Sequence, residues 1–302
     1  MFRHTDYMQF DVKPEKPDPV YARKLQELLG GAYGEMTVTM QYLMQGWNCR
    51  MKGKYKDLIM DIATEEIGHV EMIATMIARL LESAPATDAT ENALGDPVVA
   101  AVMGGMDPQH AIVSGGAPTL SDSQGAPWSG KYIVASGNLL ADFRANAAAE
   151  AQGRVQTARL WHMTDDPGVK AMLKFNLARD TYHQNMWLAA IEELQADGVE
   201  GVVAPNDLFD EEFEEHASTL WHLSDGNDSD KGRWIGPLPD GRHTGQFLAD
   251  PQPLGDRQSG PPPDPKLYCT YDGGMGEPRT PAFGTEKGLM GKLKDAVDPD
   301  KT

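Results

Sequence analysis

The chain has 302 residues, 40% of them hydrophobic and 24% charged, and a formal net charge of −18. That length admits one large domain with an extension or two ordinary ones, and the acidic balance excludes a protein built to bind nucleic acid, whose phosphates demand a basic surface. No stretch approaches the roughly 18 apolar residues of a membrane span. The opening Met1-Phe2-Arg3-His4-Thr5-Asp6-Tyr7 lacks an apolar signal core, so the expectation is a cytoplasmic protein without membrane partners. Cys49 and Cys269 stand outside any CxxC pair. They read as free thiols in a reducing compartment in preference to a disulfide.

The first predicted element is a helix from about Pro19 to Met51. Leu25, Leu28, Leu29, Ala32, Met36, Met40 and Leu43 recur at three- and four-residue spacing and build one apolar face. Pro19 suits a first helical turn, where a missing N–H is harmless. After a turn at Lys52-Gly53-Lys54, a second helix is predicted over about Tyr55–Ser83, with Leu58, Ile62, Ile73, Met76, Ile77 and Leu80 as its buried stripe. Residues 84–131 are broken by Pro85, Pro97, Pro108, Pro118 and Pro127 and are long enough to run the length of a bundle, as a crossover connection must. A third helix follows over about Tyr132–Met163. A fourth starts at 168, after Asp165-Asp166-Pro167-Gly168, and ends near Ala196.

The fold expected of residues 1–200 is therefore an all-α four-helix bundle with one long crossover. From residue 201 the chain turns rich in proline, glycine and aspartate, with only a weak helical pattern at about Thr285–Val297. Such a segment cannot readily form a core of its own. It is expected as an extended, mostly irregular tail lying on its own bundle or on a neighbouring subunit.

The chemistry sits in mid-helix. Glu66-Ile67-Gly68-His69 places a carboxylate and an imidazole three residues apart on one helix face, where they can share a metal ion. Alone the pair is weak, since many solvated helix faces carry a Glu and a His at that spacing. The hairpin geometry strengthens it. In an antiparallel pair, residues at equal height lie equally far from the turn. Glu35 pairs with positions 66–69 about a midpoint near 51, and Glu150 pairs with His183 about 166.5, each within a turn of its loop. Three carboxylates and two imidazoles thus converge at one level among apolar neighbours. Burying them uncompensated is very unfavourable, because each ion loses several kcal/mol of solvation. Two divalent cations bridged by a carboxylate, with one histidine on each, remove that penalty. The competing reading satisfies the carboxylates with buried arginines, for which Arg144, Arg154 and Arg179 are near in sequence.

The stretches Gly30-Gly31-Ala32-Tyr33-Gly34-Glu35, Glu65-Glu66-Ile67-Gly68-His69-Val70-Glu71-Met72 and Met163-Thr164-Asp165-Asp166-Pro167-Gly168-Val169, with Gly232-Arg233-Trp234 in the tail, resemble manganese catalase. The resemblance implies a ferritin-like bundle whose manganese ligands are Glu35, Glu66, His69, Glu150 and His183. It implies two manganese ions per subunit and a hexamer in which the tail clasps a neighbour. Di-iron carboxylate proteins usually carry Glu-x-x-His on both helix pairs; here the second motif reads Asp180-Thr181-Tyr182-His183. By resemblance Asp180 lies just outside the ligand set as an ionisable group near the cluster. Tyr42, seven residues after Glu35, resembles the family's tyrosine hydrogen-bonded beside the cluster, although a core aromatic with a locally satisfied hydroxyl fits too. Ala149 stands where some members have an arginine. Some members also bind calcium, which here would fall to Asp57, Asp61, His222, Ser224 and Gly226; two solvated helix-face aspartates are the alternative for the first pair.

The activity implied is dismutation of hydrogen peroxide to water and dioxygen by a metal pair cycling between Mn(II)–Mn(II) and Mn(III)–Mn(III), with Asp180 a candidate for moving protons. Two other readings stand beside it. One is a di-iron oxidase or ferroxidase on the same scaffold, since oxygen and nitrogen donors accept both metals. The other is a non-catalytic spore-coat-type structural protein.

Overall fold

A computed structural model describes residues 5–82, 112–205 and 216–255. Five helices account for the first two stretches: α1 (Pro19–Gly30), α2 (Glu35–Asn48), α3 (Lys54–Leu80), α4 (Leu139–His162) and α5 (Pro167–Ala196). α2 packs along α3 and α4 along α5, while α1 lies on α3. These are the two hairpins expected, turning at residues 49–53 and 163–166. Asp18 and Asp166 cap α1 and α5 by accepting from the N–H groups of Tyr21 and Val169, each ahead of a proline in the first turn.

Two boundaries differ from the sequence-based expectation. The first helix is two helices, interrupted over residues 31–34. The chain is crossed closely just before the break, where a Cβ on Gly30 would stand 2.4 Å from the carbonyl oxygen of Ser121. The crossover strand is tied down at that point by Gln26, whose side-chain amide donates to the carbonyls of Thr119 (2.7 Å) and Ser121 (2.8 Å). The third helix begins at Leu139, seven residues later than expected. The described residues just ahead of it form a single 3-10 turn, Gly130–Tyr132. Gly137 has φ +83, and Asp142 accepts from the Ser136 and Gly137 backbone N–H groups. Asn138 then caps the helix by accepting from Ala141 N–H.

The apolar interior is two clusters. One gathers Tyr21, Leu25, Leu28 and Leu29 with Met72–Leu81, Leu160 and Val169–Leu173. The other gathers Val38, Tyr42 and Leu43 with Tyr55–Ala63, Leu140–Ala147 and Trp187–Leu194. Each fully buried aliphatic side chain here contributes about 1.5–3 kcal/mol. On α3, α4 and α5, which reach both clusters, the buried residues between them include Glu66 and His69, Glu150, and Asn176, Asp180 and His183.

The described part of the tail carries more structure than the irregular run expected. β1 (Thr219–Trp221), β2 (Gly236–Pro237) and β3 (Thr244–Leu248) form a three-stranded sheet in the order β1-β3-β2, parallel between β1 and β3 and antiparallel between β2 and β3. The chain divides into two compact units, the first to residue 213 with 239–242, the second holding the sheet. The predicted helix at about 285–297, most of the crossover and Cys269 lie outside the described residues. Cys49 is a buried free thiol. Among the described residues no helix is long and apolar enough to cross a membrane.

Candidate metal centre

Between the two apolar clusters lies a polar layer. Glu35 opens α2, Glu66 and His69 sit at the middle of α3, Glu150 is on α4, and Asn176, Asp180 and His183 are on α5. All seven are buried, the most exposed being Glu35 at 4%. The helix break at 31–34 matters here. It makes Glu35 the first residue of α2, where the positive end of the helix dipole favours a carboxylate.

The donors fall into two halves that share Glu66. One oxygen of Glu66 lies 2.7 Å from His69 Nδ1, and the other lies 2.7 Å from His183 Nδ1. Glu35 stands 3.6 Å from His69 Nδ1 and Glu150 stands 3.9 Å from His183 Nδ1. The two imidazoles are nearly parallel, 24° apart with centroids 5.5 Å from one another. Three donor triads result, each with its ligand atoms within 4.8 Å of one another: Glu66 with His69 and His183, Glu35 with His69 and Asp180, Glu150 with Asp180 and His183. All five side chains that the hairpin spacing set at one level are therefore brought together.

Asp180, expected just outside the ligand set, offers an oxygen to both halves. Asn176, which the sequence did not single out, donates from one amide nitrogen to Glu35 (2.9 Å) and to both Asp180 oxygens (3.1 and 3.0 Å). Tyr42 is fully buried and its hydroxyl donates to Glu150 over 2.6 Å. Its hydroxyl is thus satisfied by a candidate ligand. Ala149 packs on the second apolar cluster.

The charges of the layer are heavily perturbed. Burial pushes the Glu35 carboxyl up, against the hydrogen bond with His69. Burial and then the Glu35 charge hold Asp180 well above the usual carboxylate range. Burial and the Glu66 charge push Glu150 up to about 8. Glu66 goes the other way: burial opposes ionisation, but the His69 charge and the contacts with both imidazoles bring it down to about 2. Burial disfavours charged histidine, yet the surrounding carboxylates hold His69 well above its ordinary value and raise His183 to about 10. Protons stand where cations would otherwise balance the carboxylates.

The donor set fits bound metal. Glu66 Oε1 and His183 Nδ1 lie 2.7 Å apart without hydrogen-bond alignment, and neither has a hydrogen-bond partner among the described residues. Two buried donor atoms crowded together in this way suit a common cation. The arginines of the competing reading are engaged elsewhere. Arg144 donates to the carbonyl of Val202, Arg154 to the side chain of Gln184, and Arg179 to Glu65.

Glu65 and Arg179 form a second constellation that sequence reasoning passed over. Arg179 grips Glu65 through Nε (2.6 Å) and Nη2 (3.1 Å). The Glu65 oxygens lie 3.7 Å from His69 Nε2 and 3.2 Å from His183 Nε2. The signal was present: Glu65 precedes His69 by four residues, and Arg179 precedes His183 by four. The residues named for calcium fall in both units. Asp57 and Asp61 are exposed on α3. His222, Ser224 and Gly226 belong to the second unit, where the His222 backbone N–H donates to the Leu248 carbonyl and its ring lies against Phe247.

The family model for manganese containing catalase matches residues 1–267. A manganese catalase of Bacillus subtilis is 54% identical over 276 residues, covering 90% of this chain and 99% of that protein. An uncharacterized Bacillus subtilis protein, YjqC, is 58% identical over 259 residues, covering 84% and 91%. The crystal structure of KatB, a manganese catalase from Anabaena, superposes with a TM-score of 0.66 at 27% identity, covering 83% of this chain and 100% of that one. The family model over most of the chain and the 54% identical relative show that this chain, with its buried Glu35–Glu66–His69–Glu150–His183 cage, belongs to the manganese-containing catalase family.

Proposed function

We propose that this protein is a catalase that dismutates hydrogen peroxide to water and dioxygen, with two manganese ions in the polar layer. One observation carries the reading: two half-sites, each with a histidine and a carboxylate of its own, meet on the two oxygens of Glu66. Glu35 with His69 and Glu150 with His183 would hold the ions, with Glu66 offering one oxygen to each half. When bound, the manganese pair supplies the redox chemistry, taking two electrons from one peroxide and returning them to a second.

The chain itself must orient the substrate and handle protons. The first peroxide releases two protons on becoming dioxygen, and the second consumes two on becoming water. Asp180, whose carboxyl is held well above its ordinary range and contacts Asn176 through both oxygens, is placed to hold such a proton and hand it back. Tyr42 fixes the Glu150 carboxylate by donating to Oε1. The two apolar clusters keep bulk water from the layer from both sides.

A second reading, an iron-loaded oxidase, draws on Asp180. With it the cage offers four carboxylates and two histidines, the donor count usual in di-iron proteins. Elemental analysis with an oxygen-evolution assay on the same preparation decides. Close to two manganese per chain and peroxide-dependent oxygen release are expected; an active enzyme holding iron and no manganese overturns the first reading.

By resemblance the protein is a cytoplasmic hexamer whose tail clasps a neighbour. The exposed Tyr33, Trp47, Tyr182 and Leu188 on the bundle support burial against other subunits. Light scattering tests it, and a monomer refutes it. Calcium at Asp57, Asp61, His222, Ser224 and Gly226 is tested by its retention through gel filtration in the wild type and its loss from D57N/D61N.

A further inference from the structure

The two imidazoles of the polar layer present Nδ1 to Glu66 and Nε2 to Glu65. A neutral imidazole has one N–H. If Nδ1 ligates a metal, the proton sits on Nε2, and a buried N–H without an acceptor is strongly unfavourable. Among the described residues neither Nε2 has an aligned hydrogen-bond partner. Glu65 lies within 4 Å of both, one oxygen toward each ring. The near-parallel stacking of the rings brings the two nitrogens out on the same side.

A fifth carboxylate beside this layer would repel the other four unless neutralised. Arg179 does so with a two-pronged contact that also fixes the plane of the carboxylate. The guanidinium in turn lies 5.5 Å from the Tyr182 ring, and both partners are partly exposed, with side-chain exposures of 22% for Glu65 and 34% for Arg179. The clamp therefore closes the layer on the side away from Glu66.

We propose that Glu65, held by Arg179, is a positioning residue that sets the tautomer and tilt of both histidine ligands at once, so that the affinities of the two metal positions are coupled through one carboxylate. This rests on the metal-pair reading above and adds a residue pair to it. Partners of ligating histidines commonly alter metal affinity by about 10–100-fold. A shared partner has a further consequence. In E65Q the side chain keeps its shape but offers one acceptor oxygen, and its NH2 confronts the N–H of the other ring. One imidazole stays held and the other does not.

The test titrates manganese into metal-free protein, following binding by calorimetry and low-temperature electron paramagnetic resonance. Wild type is expected to load both positions and show the signal of a coupled pair. E65Q is expected to bind its second ion about 10–100-fold more weakly, so that at limiting manganese the spectrum is that of isolated Mn(II), with helix content by circular dichroism unchanged. R179M should weaken both positions, and R179K, which keeps charge but loses the fork, should fall between. Should E65Q fail to fold, R179M against R179K carries the comparison. E65Q and R179M that load like wild type, with the same coupled signal, overturn this inference alone. Wild-type protein that takes up no manganese overturns it together with the catalase reading.

Discussion

The bundle contains two kinds of interior at the same degree of burial, and they work in opposite directions. The apolar clusters supply stability through removal of hydrocarbon from water. The layer between them, with Glu35, Glu66, Glu150 and Asp180 side by side, consumes it until something positive is bound. The same helices carry both, one turn apart. The lesson is that burial alone says nothing about a residue's contribution; the partner decides the sign.

The comparison breaks most visibly at Glu66. E66A should abolish manganese uptake and oxygen evolution together, because it removes the carboxylate common to both halves, yet leave the metal-free chain folded. Leu25→Ala, in the apolar cluster, should do the reverse. Leu25 is fully buried, and its truncation is expected to lower unfolding free energy by about 2–5 kcal/mol while metal content per folded chain stays that of wild type. Denaturant titration and elemental analysis on both variants check the pair.

Removing the metal sharpens the contrast with pH. Glu150 is lifted from 4.5 to about 8 in the metal-free chain, so the stability tied to its proton is present below 4.5 and lost as pH rises through about 8. His183, lifted from 6.5 to about 10, loses its share in the same direction between those values. Glu66, lowered to about 2, contributes stability above 4.5 that disappears only on acidification toward that value. Metal binding displaces these protons, so affinity should climb with pH while the metal-free protein weakens. Melting curves with and without chelator between pH 6 and 9 should therefore separate progressively; parallel curves would refute the proton exchange.

Tyr42→Phe is a finer cut, since it deletes one hydrogen bond to a candidate ligand and little volume. A hydrogen bond to a charged group is worth roughly 1.5–3 kcal/mol, so turnover should drop about tenfold or more with both ions retained. At the small end, Lys54 pairs with Glu193 and Asp197 on the exposed surface, where screening leaves such contacts nearly neutral. K54M should leave melting temperature and manganese content unchanged.

Much of the site was legible in the chain's residue order because helical hairpins obey simple arithmetic. Counting back from two turns located Glu35, Glu66, His69, Glu150 and His183 at one height. Asp180 resisted the same reasoning, because the reach of a short side chain depends on how closely α5 approaches the other helices, a quantity no spacing encodes. Glu65 and Arg179 were hidden for a different reason. A charged pair at i, i+4 positions from two histidines looks like a solvated helix face until the rings are seen to stack. The break at 31–34 was hinted at by Gly30, Gly31 and Gly34, but the Ser121 carbonyl pressed against Gly30 beside it comes from about ninety residues away along the chain.

The sequence by itself determined the four helical stretches in outline, where the hairpins turn and which five side chains share a level, since periodicity and capping are local and act through neighbours three or four residues apart. Tertiary structure alone decided how Glu66 divides its two oxygens between the halves, that Asp180 joins the cage and that one outer carboxylate faces both imidazoles. Those outcomes depend on interhelical distance and on the rotation of each helix about its axis, and both are set by the packing of the two apolar clusters as a whole.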